Sequence, residues 1–359
     1  MTTIADVAER AGVSIATVSR VINGSRHVTS ETCRSVLQAA KELDYHPNQP
    51  ARNLRQQRTG AILILTPNMT NPFYASILTG VGDTAAASGF AAFICNTGDD
   101  PARATAALDR LSQRQADGAI VLSVSQSAEW LPGYAARFPI VQCAEFVPDP
   151  GIARVSIDNY AASRDIMAYL LGLRHERIAH ISADNPYQST SARLSGYRDA
   201  MAEAGLPVPS GYVIKASPDY SFSSGKRAAW QLLTAPSRPT AIYCISDTLA
   251  LGAVVAAQEL GLRVPDDVTI TGFDNVMETE MIRPHLTTLA QPCYDLGRTA
   301  MQTLDDLVGR RPTTLEHVLE HRLVIRESSS TAPEPSQDHG APPTSKRPPT
   351  GARTDQRRS

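Results

Sequence analysis

The stretch AERAGVSIATVSRVINGS, Ala8 to Ser25, holds two short helical patterns broken at Gly12-Val13-Ser14. The second turns Ile15, Ala16, Thr17, Ser19 and Arg20 away from its apolar repeat, so its outer face is small and hydroxylated and carries one guanidinium. Such a face can press against a flat anionic surface. Small side chains at the start of a helix let it approach base edges in a groove about 12 Å wide. Arg20 can bond a guanine through two hydrogen bonds or hold a phosphate. Ser14, Thr17, Ser19 and Asn23 suit phosphate contacts that fix register, and Arg26 adds a cation just beyond them. The plain alternative is a helical hairpin in an ordinary core. Its N-terminal place, its basic surroundings and its small outward residues weigh against that alternative.

No set of residues for catalysis accompanies this face. RHERIAH nearly spells the zinc-binding HExxH, but His180 follows His175 by five residues and not four, so one helical face cannot carry both. GxSxG, P-loop and GxGxxG patterns are absent from the chain, and no cofactor or metal is expected. Net charge is −2 over 359 residues. Residues 1–60 hold eight Lys or Arg against five Asp or Glu, a local +3 that leaves −5 to the rest. A basic end on an acidic body predicts that the end alone meets a polyanion. The five cysteines are odd in number and far apart, and Cys95, Cys143 and Cys244 lie inside apolar runs, which predicts buried thiols in a reducing cytoplasm. No apolar stretch approaches the roughly 18 residues of a membrane span, and the N-terminus lacks an apolar signal core.

The elements that position these residues follow from periodicity. Thr3 and Asp6 form a capping box before Ile4, Val7, Ala8 and Ala11, and Gly12 ends the helix. Val18, Val21 and Ile22 face inward on the second helix. A third helix opens at Thr29 or Ser30 with Val36, Leu37, Ala40 and Leu43 as its inner stripe. HPNQPARNLRQQRTG then reads as a linker with one short helix after Pro50. From Gly60, apolar runs such as AILILTP, DGAIVLSV and PIVQCAEF alternate with helical stretches, and after Asn159 the alternation restarts. Two such restarts predict two similar α/β lobes built on parallel sheets. From Ser328 onward the chain is Pro/Ser/Thr-rich and almost free of apolar residues, which predicts a disordered tail over 328–359.

These motifs in combination resemble the LacI/GalR family of bacterial transcription regulators. The resemblance begins with TIADVAERAGVSIATVSRVINGSRHVTSETCRSVLQAAKELDYHPNQPAR and continues through NPFYASILTGV, VSIDN, SARLSGY, SDTLALGA, GLRVPDDVTITGFDN and LTTLAQP, covering roughly residues 2–327. AEF, VSIDN and IAHISA look most like the cytidine- and purine-repressor branch. The resemblance implies a helix-turn-helix head over 1–46 and a hinge over 47–59. It also implies a periplasmic-binding-protein-like body over 60–327. Lobe 1 would take 60–158 and 290–318, and lobe 2 would take 159–289 and 319–327. By position in the family pattern, Leu54 would wedge into the minor groove, while Pro50 stands where an aliphatic residue is usual.

The same resemblance implies an effector between the lobes, beyond the carboxyl ends of the strands. Phe73, Tyr74 and Tyr220 would stack on its ring. Arg193 would bond its hydroxyls or a carbonyl, and Asp247 and Asp274 would accept from hydroxyls or ring nitrogens. Taken alone, Phe73 is equally a core residue, Arg193 a solvated helix charge, and the two aspartates caps of the helices that follow. The expected protein is a cytoplasmic homodimeric regulator that binds a pseudo-palindromic operator and answers to a sugar or nucleoside. A dimer is expected over a tetramer because the tail lacks heptad leucines. An exported solute-binding protein and a sugar-processing enzyme are the rival readings.

Overall fold

The structure is a computed structural model, and it describes residues 2–22, 28–45, 58–126, 128–149 and 151–333. Asn23, Arg26, Pro50, Leu54 and the tail from 334 lie outside the described residues.

The head is three helices, α1 (Ile4–Ala11), α2 (Ile15–Ile22) and α3 (Ser30–Glu42). The capping box forms as expected, with Thr3 Oγ1 accepting from the Asp6 amide and the Asp6 carboxylate accepting from the Thr3 amide. Gly12 ends α1 at φ 67°, a left-handed conformation that glycine adopts without steric cost. Val7, Ala8, Val18, Val21, Val36 and Ala39 close a small core. Leu37 corrects the sequence expectation: it is exposed, and Ala39 takes the inner position. The inner stripe of α3 therefore runs through 36, 39, 40 and 43, the spacing that stacks side chains on one helical face.

The body alternates strand and helix as expected. The first lobe takes β1 (Ala61–Thr66), α4 (Pro72–Ala87), β2 (Ala91–Asn96), α5 (Pro101–Ser112), β3 (Gly118–Val121), α6 (Trp130–Ala135), β4 (Ile140–Cys143) and β5 (Ala153–Ile157). The second takes α7 (Asn159–Gly172), β6 (Ile178–Ala183), α8 (Gln188–Glu203), β7 (Val213–Ala216), α9 (Phe222–Leu233), β8 (Ala241–Cys244), α10 (Asp247–Glu259), β9 (Thr269–Asp274) and β10 (Thr287–Ala290). The chain then returns to lobe 1 for α11 (Cys293–Val308) and β11 (Glu316–Leu319), and ends in lobe 2 with β12 (Arg322–Val324). Sheet order is β11-β5-β4-β3-β1-β2 in lobe 1 and β12-β10-β9-β8-β6-β7 in lobe 2. Every described pairing is parallel except β10 with β12.

The central strands are apolar on both faces because helices cover both. Ile62 and Ile64 pack toward α4, while Ala61, Leu63 and Leu65 pack with Leu108 and Leu111 of α5. Helices begin where short polar caps sit. Asn71 and Asp100 precede Pro72 and Pro101 at the first turns of α4 and α5, and Asp158 caps α7. Each strand-to-helix turn thus leaves the carboxyl end of a strand, and these ends carry the cleft.

Two further expectations need correction. Cys143 and Cys244 are buried, but Cys95 is partly exposed because β2 is an edge strand. Residues 328–333 are not part of a disordered tail. Ser328 is fully buried; its Oγ donates to Ile270 O and accepts from the Thr287 amide at 2.8 Å, and its carbonyl accepts from the Ile270 amide at 2.9 Å. Serine and threonine satisfy the base of β9 here by hydrogen bonds, so low apolar content did not mark the segment as ordered.

Candidate functional site

On the head, α2 exposes Ile15, Ala16 and Arg20, with Thr17 and Ser19 half-buried. Ile15 is 51% exposed. Ser14 Oγ lies 2.9 Å from Thr17 Oγ1 and accepts from the Thr17 amide at 3.2 Å. Ser14 therefore starts the helix, and its hydroxyl is already engaged locally.

The cleft is built from residues that follow strand ends in both lobes. From lobe 1 come Phe73 and Tyr74 after β1, Asp99 after β2, Ser123 after β3 and Glu145 after β4. From lobe 2 come Asn185, Tyr187, Ser189, Thr190 and Arg193 after β6, Tyr220 after β7 and Asp274 closing β9, with Gln291 on the return crossing. The lobes are bonded across it. Ser123 Oγ lies 2.7 Å from both the Asp99 carboxylate and the Tyr187 hydroxyl. The Gln126 amide donates to Pro186 O at 3.1 Å.

Glu145 makes the closest bridge. Its carboxylate accepts from the Ser189 hydroxyl and, at 3.2 Å, from the Ser189 amide in the first turn of α8. The N-cap residue of α8, Tyr187, makes no side-chain bond to the helix's own amides, so a lobe 1 carboxylate supplies the cap for a lobe 2 helix. Burial pushes the Glu145 carboxyl up to about 7, partly opposed by the bonds from Ser189 and by Arg193.

Arg193 is 6% exposed and threads the lobe 2 wall of the cleft. Its Nε donates to Asn159 Oδ1 at 2.9 Å and its Nη1 to Ile245 O at 2.6 Å. The guanidinium carbon stands 3.5 Å over the Phe273 ring. It is therefore no solvated helix charge. Asp274 is held by Gln291 Nε2 at 2.7 Å, and burial pushes its carboxyl up to about 7 against the pull of Arg193. Phe73 and Tyr74 meet edge to face at 5.0 Å in the shared core. Burial, then the neighbouring Tyr187, Glu145, Tyr220 and Asp99, push the Tyr74 phenol well up. Tyr220 closes the set, its hydroxyl 3.2 Å from Thr190 Oγ1.

Asp247 departs from the expectation. It is fully buried, Ser246 and not Asp247 caps α10, and both carboxylate oxygens are bonded by protein. Oδ1 accepts from Thr288 Oγ1 at 2.5 Å and Oδ2 from the Val276 amide at 2.9 Å. Burial and the neighbouring Asp274 raise its pKa. Through these bonds it holds the loop that follows Asp274. Glu145, Tyr187, Asp99, Ser123, Asn185, Thr190 and Gln291 were missed by sequence reasoning. Each lies one to seven residues past a strand end, and that position is the signal that could have found them.

His175 bonds Thr240 and Ser330, and His180 stacks on Tyr197 and lies tilted against Tyr243, with burial pushing it down to about 3. Among the described residues no cluster of three His, Cys, Asp or Glu is arranged for a metal. A cavity of about 430 Å³, lined in part by Arg58, Phe138, Leu307 and Arg310, lies under lobe 1 away from the strand carboxyl ends.

Comparison with known proteins matches residues 3–48 to the bacterial regulatory proteins of the lacI family, and residues 167–329 to a periplasmic binding protein-like domain. The chain is 36% identical over 334 residues to the HTH-type transcriptional regulator DegA of Bacillus subtilis, covering 92% of this chain and 98% of that one. It is 34% identical over 340 residues to the HTH-type transcriptional repressor CytR of Escherichia coli, covering 92% and 97%. Among solved structures, a lac repressor dimer bound to operator and the anti-inducer ONPF superposes with a TM-score of 0.83 at 26% identity, over 92% of this chain and 99% of that one. The transcriptional regulator CelR in complex with cellobiose gives a TM-score of 0.68 at 32% identity, over 92% and 100%.

Proposed function

This chain belongs to the lacI family of bacterial regulatory proteins, DNA-binding transcription regulators and not enzymes, and from that premise we propose that it is a repressor controlled by a neutral polyhydroxy effector, a sugar or nucleoside. The observation that carries the effector reading is the cleft itself. Two carboxyls, Glu145 and Asp274, lie near the Arg193 guanidinium, a third, Asp99, is bonded to Ser123, and the rings of Tyr74, Tyr187 and Tyr220 stand among them. Carboxyls and phenols bond hydroxyls, and rings stack on sugar or base faces. The excess of carboxyls disfavours a phosphorylated ligand. The CelR neighbour carries cellobiose, which supports a carbohydrate in a cleft of this kind.

On the DNA side, Ile15, Ala16 and Arg20 read base edges, Ser14, Thr17, Ser19, Asn23 and Arg26 fix the backbone, and Leu54 wedges the minor groove and bends the operator. The operator is pseudo-palindromic because two copies bind it. A dimer is supported by edge strand β2, which leaves Phe93 55% and Ile94 44% exposed. The protein acts in the cytoplasm, where its operator is; no described helix is long and apolar enough to cross a membrane.

A thermal-shift panel of sugars, nucleosides, purines and their phosphates tests the effector class. A ligand at 100 times its Kd stabilises by ~2.7 kcal/mol. The reading expects a neutral polyhydroxy compound to raise Tm and to change operator affinity without turnover. Stabilisation by phosphorylated compounds alone would overturn it.

A further inference from the structure

At the end of β9 the backbone passes through two consecutive non-glycine residues with positive φ, Asp274 at 118° and Asn275 at 61°. Such conformations persist only where the surroundings hold them. From the α10 side, Asp247 Oδ2 holds the Val276 amide at 2.9 Å. From the crossing, Gln291 holds the Asp274 carboxylate at 2.7 Å. The third brace comes from the far end of the body. Arg326 Nη2 donates to Asn275 Oδ1 at 2.8 Å and to Glu280 Oε1 at 2.6 Å, and Nη1 donates to Leu286 O at 2.9 Å. The root of Arg326 is itself fixed, because its amide donates to Thr287 Oγ1 at 2.9 Å and Ser328, two residues on, is stitched to Ile270 and His285.

We infer that Arg326 is a positioning residue of the effector site: through Asn275 it holds the strained turn that aims Asp274 into the cleft. This rests on the proposed reading of the cleft as the effector site. A guanidinium suits the task because its donors sit on separate nitrogens of a fixed planar fork, so Nη1 and Nη2 serve different segments, whereas an ammonium's three donors share one nitrogen. The C-terminal strap is thereby tied to the ligand wall. A change in the strap reaches Asp274 without passing through the head or the hinge.

The test is hydrogen exchange on the full chain for wild type, Arg326→Gln and Arg326→Lys, with no effector added. The expected result is a rise of at least about tenfold in exchange over residues 274–281 in Arg326→Gln, with β6 and β8 at wild-type rates. Arg326→Lys should keep the Tm and still lose the local protection. Unchanged exchange over 274–281, or a uniform rise across the lobe 2 sheet, would overturn the inference, the second by making Arg326 a general staple. Asp274 supplies a readout that a staple would not move. Its carboxyl titration, followed by carbon NMR and assigned with Asp274→Asn, should sit near neutral in wild type and fall toward the ordinary aspartate range in Arg326→Gln. Identical titrations would overturn it. If Arg326→Gln does not fold, Asn275→Gly removes the same bond from the other end at a φ that glycine accepts, and the same local rise is expected. Failure of the cleft reading is separate: Asp274→Asn would then leave every affinity on the sugar and nucleoside panel unchanged while the brace stays intact.

Discussion

Glu145 stands on a lobe 1 strand end, yet the groups that bond it belong to lobe 2. Its carboxyl is raised from 4.5 to about 7, chiefly by burial. The folded state then binds more protons than the unfolded chain between those values, so this group's stabilisation is complete below about pH 4.5 and is lost as pH rises through about 7. Glu145→Gln mimics the protonated form and should flatten the fall in Tm across that window; parallel curves for the two proteins would show that Glu145 does not titrate there. On the head, Arg20→Ala should cost ~1–3 kcal/mol on the operator and relax preference at one position per half-site. Equal loss on operator and random DNA would reduce Arg20 to a phosphate contact. Several of these residues were legible in the sequence and others were not. Arg193, Tyr220 and Asp274 were singled out from the family resemblance, and the fold brings them close to one another at or after strand ends of lobe 2. Glu145 was not found because a single carboxylate after an apolar run has no spacing to mark it. Asp247 has both carboxylate oxygens bonded by protein, which position after a strand does not foretell.

At the scale of elements, lobe 1 depends on α4 lying unusually close to α11. A Cβ on Gly297 would stand 2.1 Å from Ile77 O, and one on Gly80 would stand 2.1 Å from Tyr294 O. Backbone cannot yield as a flexible side chain can. Gly297→Ala should therefore destabilise by about 3 kcal/mol or more, the upper end for overpacking, read as a lower midpoint in urea. A loss under about 1 kcal/mol would mean that the helices can part cheaply. The long elements were legible because strands covered on both faces are continuous apolar runs and the helices have clear caps. β7, β10, β11 and β12 were not singled out. β7, β11 and β12 are short edge strands with exposed positions, so no continuous apolar run marks them, and in β10 three of four residues are Thr, Thr and Ala, without a run of large apolar side chains. The strap over 328–333 was hidden for a different reason: its order comes from hydroxyl and backbone bonds, which leave no hydrophobic pattern.

At the scale of the whole molecule, a three-helix head precedes a body of two α/β lobes. The dimer should depend on β2. Phe93→Glu together with Ile94→Lys should shift sedimentation from dimer to monomer and weaken operator binding while each chain stays folded, whereas an unchanged dimer would place the interface elsewhere. The central claim is that the cleft controls the head. A ligand can shift operator affinity only through a difference in its affinity for two lobe arrangements, and coupling of this kind is typically ~1–3 kcal/mol, or about 5–150-fold. Arg193 is the cleft residue best placed to supply that difference, bonded at once to α7 through Asn159 and to the end of β8 through Ile245. The decisive measurement is an operator titration of wild type and Arg193→Ala, with and without the strongest binder from the sugar and nucleoside panel, at one salt concentration because phosphate contacts make affinity steeply salt-dependent. Wild type should shift about 5–150-fold with the compound, and Arg193→Ala should bind operator and show no shift. A full response in Arg193→Ala, or a wild type whose operator affinity no cleft ligand changes, would contradict the account.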